Sequence, residues 1–178
     1  FHILVLAAIQ GITEFLPISS SGHLLIIPTI TGWADQGQSI DIAVHVGTLV
    51  AVVAYFRKDV QEIVLAFLRP TDGSRVEGRR LGWHILIASI PVVIAWGAMY
   101  YFIQGELRSI LLVAGTTIIF GLFRGWADKN FTVTKKIGAI SVQDSFVIGL
   151  FQVLSLLPGT SRSGITMSAA RMRGLSRR

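Results

Sequence analysis

The sequence lacks cysteine and has few charged residues. None of its 178 residues is a cysteine, which excludes a disulfide framework and a thiolate metal site. Only 15% of the residues are charged, whereas 52% are hydrophobic, and the mean hydropathy is +0.63. Soluble domains carry about 25% charged residues. The composition therefore indicates an integral membrane protein.

The net charge of +6 does not indicate a nucleic-acid partner. The basic residues fall in the gaps between apolar runs, as they do in the cytoplasmic loops of membrane proteins. We therefore expect the lipid bilayer to be the partner of this chain and expect no binding to nucleic acid.

Three apolar runs are candidates for membrane spans, which need roughly 20 mostly apolar residues. Ile85–Ile103 carries no charge, and Ile40–Phe56 carries only Asp41 near its start. Ser109–Phe123 is shorter, and Arg108 and Arg124 flank it. We predict that all three cross the membrane.

The distribution of Lys and Arg predicts the orientation of these spans. The predicted loop Arg57–His84 holds six basic residues and the segment Arg124–Lys136 holds four, whereas Gln104–Arg108 holds one. Basic loops stay in the cytoplasm, so we expect residue 40 to lie outside.

Two further apolar runs are too short to span a bilayer. Ile3–Leu16 and Phe146–Leu157 each end in a proline and a polar, glycine-containing turn, and a second stretch of apolar or amphipathic character follows. This pattern is typical of a helix that enters the membrane, breaks and turns back. Because three spans separate the two copies, they are expected to be inverted and to meet at a midplane site.

The sequence therefore predicts an all-α polytopic membrane protein. We expect one membrane domain over residues 1–178, an inverted repeat with two re-entrant helix hairpins plus transmembrane helices. The first repeat covers about 1–123, and the start of a second, truncated repeat covers about 137–178.

The first turn, within "QGITEFLPISSSGH", offers an unusual set of polar groups for a membrane segment. Gln10 and Glu14 are four residues apart and share one helix face, and an intramembrane carboxylate is functional by default. His23 titrates near neutrality. Three hydroxyls precede the next helix, whose N-terminus attracts anions: Ser19, Ser20 and Ser21.

The second turn, within "PGTSRSGIT", repeats the hydroxyls and adds a cation. Arg162 supplies a planar, permanently charged fork suited to phosphate, and Gly159 and Gly164 permit close approach of the backbone to a ligand. The hydroxyls are Ser161, Ser163 and Thr166. Together, the two turns predict a phosphoryl-transfer site.

Structural interpretations compete with this prediction. The serines could simply cap broken helices, and Arg162 could form an ion pair with Glu14. For Asp41 and His45, near the start of a span, we favour a helix-capping pair over a functional role. The occurrence of both turns in one chain favours a functional site over these structural interpretations.

The two quoted stretches closely resemble the signature regions of the undecaprenyl-diphosphate phosphatase family, the bacitracin-resistance type of integral membrane phosphatase. The resemblance implies an inverted-repeat fold. It also implies hydrolysis of undecaprenyl diphosphate, a polyprenyl diphosphate lipid, to the monophosphate and inorganic phosphate, which recycles the lipid carrier of cell-wall synthesis. A divalent cation, Mg²⁺ or Ca²⁺, is implied as cofactor. The implied location is the bacterial inner membrane with the active site facing outside, and a homodimer is possible.

The resemblance also implies roles for individual residues. The catalytic set would be Glu14, Ser20, His23 and Arg162, with Glu14 and Gln10 as metal ligands. The substrate phosphates would bind Ser19, Ser21, Ser161, Arg162, Ser163 and Thr166. The nucleophile stays open among His23, Ser20, Ser161 and an activated water.

The chain departs from the family pattern at two points. Many members have glutamate where this chain has Gln10, and members continue for three further spans after the second motif. We therefore expect the 178 residues to be a fragment or a short form. A polyprenyl-phosphate flippase or transporter that does not cleave its ligand is the alternative function, because broken inverted repeats also build transporters.

Overall fold

The computed structural model describes residues 1–69, 71–102 and 109–176, and these residues form helices joined by turns. Extended pairing among them is confined to an isolated bridge between Lys135 and Leu175. The helices are α1 (His2–Thr13), α2 (Ser20–Thr31), α3 (Gly37–Tyr55), α4 (Arg57–Leu68), α5 (Val76–Phe102), α6 (Ile110–Asn130), α7 (Val142–Val153) and α8 (Arg162–Met172).

Three of these helices are long and apolar enough to cross a membrane, and they coincide with the three candidate spans. They are α3, α5 and α6. Most of their apolar side chains are exposed, such as Leu49, Val93 and Leu122, as expected for surfaces that face lipid rather than protein. Ile103, the predicted end of the second span, lies outside the described residues.

The prediction of a loop over Arg57–His84 is wrong for most of its length. Arg57–Leu68 is helix α4, and α5 already begins at Val76. Glycine permits the two helices to pack closely, since a Cβ at Gly82 would overlap the Phe67 ring. The prediction treated the basic residues as a sign of a loop at the membrane boundary. Lys and Arg also favour helix, so their presence does not exclude one. The neutral connection Gln104–Arg108 lies outside the described residues.

The end of α6 also differs from the prediction. The helix continues to Asn130, so Arg124 and Lys129 lie on its last turns rather than in a connection. Lys129 in the final turn is favourably placed next to the negative end of the helix dipole.

The two short apolar runs are broken by turns where the prolines predicted them. Helix α1 ends at Thr13, and Pro17 precedes α2. Helix α7 continues into a 3₁₀ turn at Leu154–Leu156 before Pro158. Proline provides no N–H for a helix and restricts the residue before it, so the helices stop there.

Close packing through glycine and contacts with α6 fix the positions of α7 and α8. Helix α7 packs closely on α5, because a Cβ at Gly149 would overlap the Ala88 carbonyl. Helix α6 contacts both α2 and α8. This packing brings the turn after α1 next to the turn after α7, and Gly164 lies against Pro17.

A buried carboxylate anchors the start of α7 to the end of α8. Asp144 is 0% exposed and forms a capping box with Ser141. Its oxygens lie 2.6 Å from Arg173 Nε and 3.1 Å from Lys135 Nζ. Burial alone raises the pKa of Asp144, but the hydrogen bonds from Ser141, Arg173 and Lys135 outweigh it and hold that pKa well below its usual range.

We predict that Asp144→Asn lowers the free energy of unfolding by about 2–3 kcal/mol at neutral pH, because it removes two charge-assisted hydrogen bonds while both cations remain partly solvated. Since the folded-state pKa is depressed, this stabilisation is present above the ordinary Asp pKa of about 4 and fades as the pH falls below it. Unfolding in detergent, followed from neutral pH to about pH 3, measures both effects.

The matched control is Asp59→Asn, which removes the same charge from an exposed position on α4. Equal stability of the two variants at neutral pH would contradict the proposed role of Asp144.

Candidate active site

One cavity of about 160 Å³ collects polar residues from both turns and from α3. The two motifs contribute Glu14, Ser19, Ser20, Ser21, Ser161, Arg162 and Ser163, and the other lining residues are Thr13, His45, Ser155 and Thr160. The fold therefore brings together two stretches that are far apart in the sequence, as the repeat predicted.

The first turn ends in a serine that caps α2. Ser19 has a positive φ of 63°, and its hydroxyl accepts a hydrogen bond from Gly22 N–H at 3.3 Å. The Ser19 and Ser21 hydroxyl oxygens lie 3.3 Å apart. The cap satisfies Gly22 N–H, and the first two N–H groups of α2 remain without a helical carbonyl partner, next to the cavity.

The second turn repeats the same hydrogen bonds. Ser161 caps α8 by accepting from Gly164 N–H at 3.2 Å, and the Ser161 and Ser163 hydroxyl oxygens lie 3.2 Å apart. The first residues of two capped helices thus line one cavity. Helix N-termini carry partial positive charge, so the cavity favours an anion.

Helix α6 holds both turns through backbone carbonyl groups. Thr116 donates to the Pro158 carbonyl at 2.5 Å and Thr117 donates to the Gly159 carbonyl at 3.1 Å. Arg124 donates to the Pro17 carbonyl at 3.0 Å. Gly159 has a φ of 89°, and a Cβ there would overlap Thr116. Only glycine fits this approach without strain.

Glu14 supplies the carboxylate of the cavity. Its Oε2 accepts hydrogen bonds from Gln10 Nε2 at 2.9 Å and from the Ser20 hydroxyl at 2.5 Å. The first bond confirms that Gln10 and Glu14 share a helix face. The second places a hydroxyl directly against a carboxylate, which is the arrangement of a nucleophile beside its base.

Arg162 supplies the cation of the cavity. Its side chain is exposed, and among the described residues its guanidinium forms no ion pair or hydrogen bond. The alternative of a structural ion pair with Glu14 is therefore wrong. A permanently charged fork that has no partner in the described part of the chain is available for an anionic ligand.

Two hydroxyls of the cavity lack partners. Thr160 is 5% exposed, and neither its Oγ1 nor Ser155 Oγ has a hydrogen-bond partner among the described residues. Buried polar groups are almost always hydrogen-bonded, so these hydroxyls are expected to bind a polar ligand.

Three of the predicted site residues do not line the cavity. His23 Nδ1 lies 2.8 Å from the Ser19 carbonyl oxygen and donates to it. Thr166 donates to the carbonyl groups of Arg162 and Ser163 in its own helix. Gln10 is 0% exposed and contacts the cavity only through Glu14.

His45 is the residue that sequence reasoning missed. Its Nε2 lies 3.7 Å from Glu14 Oε2, and its ring lines the cavity. The interpretation of Asp41 and His45 as a capping pair is wrong, because the N-cap of α3 is Gln36. An ionisable residue inside a predicted span was the available signal, but its partner depends on how α3 packs against α1.

The arrangement combines a cation, hydroxyl donors and helix N-termini with a carboxylate that contacts a serine. The first three groups bind phosphate oxygens, and the last pair can supply a nucleophile and a base. The cavity thus has the groups that phosphoryl transfer requires.

Comparison with known proteins agrees with this chemistry. Residues 3–178 match the family described as "Bacitracin resistance protein BacA". Three similar curated proteins are each named "Undecaprenyl-diphosphatase". They come from Ruegeria pomeroyi (46% identical over 179 residues), Dinoroseobacter shibae (48% over 180) and Teredinibacter turnerae (47% over 177).

In each comparison the alignment covers 99% of this chain and 67% of the relative. The chain therefore spans about two thirds of the length of these relatives. With a family match over nearly every residue, this chain belongs to the bacitracin resistance protein BacA family.

Proposed function

We propose that the cavity between the two turns hydrolyses undecaprenyl diphosphate to undecaprenyl phosphate and inorganic phosphate. Family membership and the names of the curated relatives support this activity. The observation that carries the proposal is one cavity that holds both the Glu14–Ser20 hydrogen bond and the Arg162 guanidinium, which has no partner among the described residues.

We assign phosphate binding to the groups of the cavity that can still form hydrogen bonds or ion pairs with a ligand. Arg162 binds oxygens of the diphosphate through its fork, while Ser163 and the unpartnered Thr160 hydroxyl donate to the same oxygens. The first N–H groups of α2 and α8 add fixed dipoles that stabilise the charge developing in the transition state. The prenyl chain is expected to extend into the bilayer.

Ser20 is the nucleophile that the contacts favour. Its oxygen forms the new bond to the terminal phosphorus, its proton passes to Glu14, and the bridging oxygen leaves with its electron pair on undecaprenyl phosphate. Water then attacks the phosphoserine, which releases inorganic phosphate and returns the Ser20 hydroxyl. Ser161 is less suited, because its oxygen caps α8, and His23 does not line the cavity.

The donor set fits a divalent cation at Glu14. This carboxylate belongs to a cavity that otherwise binds anions, and a cation needs such an oxygen together with substrate phosphate oxygens. When bound, Mg²⁺ or Ca²⁺ neutralises charge on the phosphoryl oxygens. Gln10 is a poor ligand, because it presents its amide N–H to Glu14 and is fully buried.

We further propose that α1–α2 and α7–α8 are re-entrant hairpins of an inverted repeat. Their matching serine caps and their short length support this arrangement. The protein would lie in the bacterial plasma membrane with the cavity open to the outside. The predicted homodimer stays a prediction. The alternative of a transporter without hydrolysis has no support from the names of the relatives.

Arg162→Ala in the full-length protein is expected to lower phosphate release from undecaprenyl diphosphate at least about 100-fold, the usual effect of removing a group that stabilises transition-state charge. Glu14→Gln should lower it similarly, because the amide cannot accept the Ser20 proton. Phosphate release in detergent with Mg²⁺ measures both.

Arg69→Ala is the matched control, since Arg69 is an exposed arginine at the end of α4, away from the cavity. Its release rate should equal that of the parent protein. Undiminished release by Arg162→Ala would contradict the proposed site. Tight lipid binding without release by the parent protein would favour the transporter.

The orientation is testable because the chain has no native cysteine. Ser21→Cys, at an exposed position lining the cavity, should react with a membrane-impermeant thiol reagent in intact cells. Ser74→Cys, exposed in the turn before α5, should react only after permeabilisation. The opposite pattern would reverse the assignment.

A further inference from the structure

Two hydrogen-bond acceptors face each other in the cavity. His45 Nδ1 lies 2.7 Å from the Asp41 carbonyl oxygen. A carbonyl oxygen only accepts, so the hydrogen of the neutral ring is on Nδ1. His45 Nε2, which then carries the lone pair, lies 3.7 Å from Glu14 Oε2, which is too long for a hydrogen bond. With the ring neutral, a water molecule or a cation between these two atoms would satisfy both acceptors.

Gln10 cannot fill that gap. Its amide nitrogen lies 2.9 Å from Glu14 Oε2, and since a carboxylate oxygen only accepts, the NH₂ group must face Glu14. Gln10 Oε1 is buried and has no partner among the described residues. Gln10 therefore orients the carboxylate and offers no oxygen to the cavity.

We propose that His45 Nε2 and a Glu14 carboxylate oxygen are the two protein ligands of the divalent cation. This inference rests on the proposed function, and it assigns the second ligand position to His45 on α3 instead of Gln10. Metal–ligand bonds of about 2.0–2.5 Å place two ligands of one ion roughly 3–4 Å apart. The separation of 3.7 Å falls within that interval.

The surroundings of His45 are those of a metal-ligating histidine. Such residues almost always donate their other ring N–H to a carbonyl or carboxylate, as His45 does to Asp41. Gln36 steadies this part of α3, because its amide donates to the Leu24 carbonyl at 3.2 Å and to the Asp41 carboxylate at 2.5 Å. The start of α3 is therefore tied to α2, and the Asp41 carbonyl of the same helix orients the ring.

A site with two protein ligands takes its remaining ligands from water and substrate. No three His, Cys, Asp or Glu side chains converge on a metal-sized site in the described part of the chain. Mg²⁺-type ions are commonly held by one or two side chains plus phosphate oxygens. An imidazole ligand favours Mn²⁺ over Mg²⁺ and Ca²⁺, which prefer oxygen. We therefore expect Mn²⁺ to bind the tightest of these three ions.

Electron spin-echo spectroscopy of bound Mn²⁺ tests the proposal directly. The full-length protein in detergent, with Mn²⁺ and methylenediphosphonate as a non-hydrolysable diphosphate, should show coupling to a coordinated imidazole nitrogen. The coupling should disappear in His45→Gln, and Mn²⁺ affinity should fall by about tenfold or more. His2→Ala, which changes an exposed histidine on α1, should retain both.

The possible outcomes separate this proposal from the proposed function. Nitrogen coupling that is absent from the parent protein, or that persists in His45→Gln, would overturn the assignment of His45 even if phosphate release is normal. Coupling that depends on His45 in a protein that releases no phosphate would support the metal site and contradict the hydrolase.

Discussion

The carbonyl groups of the two turns need hydrogen-bond donors, because they lie outside the hydrogen-bond ladder of a helix. Three side chains of α6 supply those donors: Thr116 and Thr117 bind the turn after α7, and Arg124 binds the turn after α1. A single apolar helix therefore positions both turns. The cavity exists because α6 holds them side by side.

The turns between α1 and α2 and between α7 and α8 also provide the polar groups of the cavity. Each turn ends in a serine that caps the next helix, so two helix N-termini lie beside the same space. Arg162 adds a permanent charge without a protein partner among the described residues. Backbone geometry and one side chain together thus supply the groups of the proposed anion site.

Glu14 connects this anion site to the reaction. Gln10 and Ser20 both donate to its Oε2, and His45 approaches the same atom from α3. The three neighbours have different roles in our account, since Gln10 orients the carboxylate, Ser20 attacks phosphorus and His45 binds the cation. Gln10 is neutral, so it orients the carboxylate without adding a second negative charge.

The sequence predicted the features that depend on local pattern. Hydropathy located α3, α5 and α6, and proline with serine located the two turns and their caps. The sequence could not predict contacts that arise from packing between distant elements. His45 meets Glu14 because α3 packs on α1, and Thr116 meets Pro158 because α6 packs beside α8. Helix α4 was missed because its charges resemble those of a loop.

A double-mutant cycle tests most directly whether the two turns form one site. Phosphate release would be measured for the full-length protein, for Glu14→Gln, for Arg162→Lys and for the double variant. Residues that act on one bound diphosphate are coupled, so the double variant should be little slower than the slower single variant. Losses that multiply would show that Glu14 and Arg162 act independently and would contradict the account.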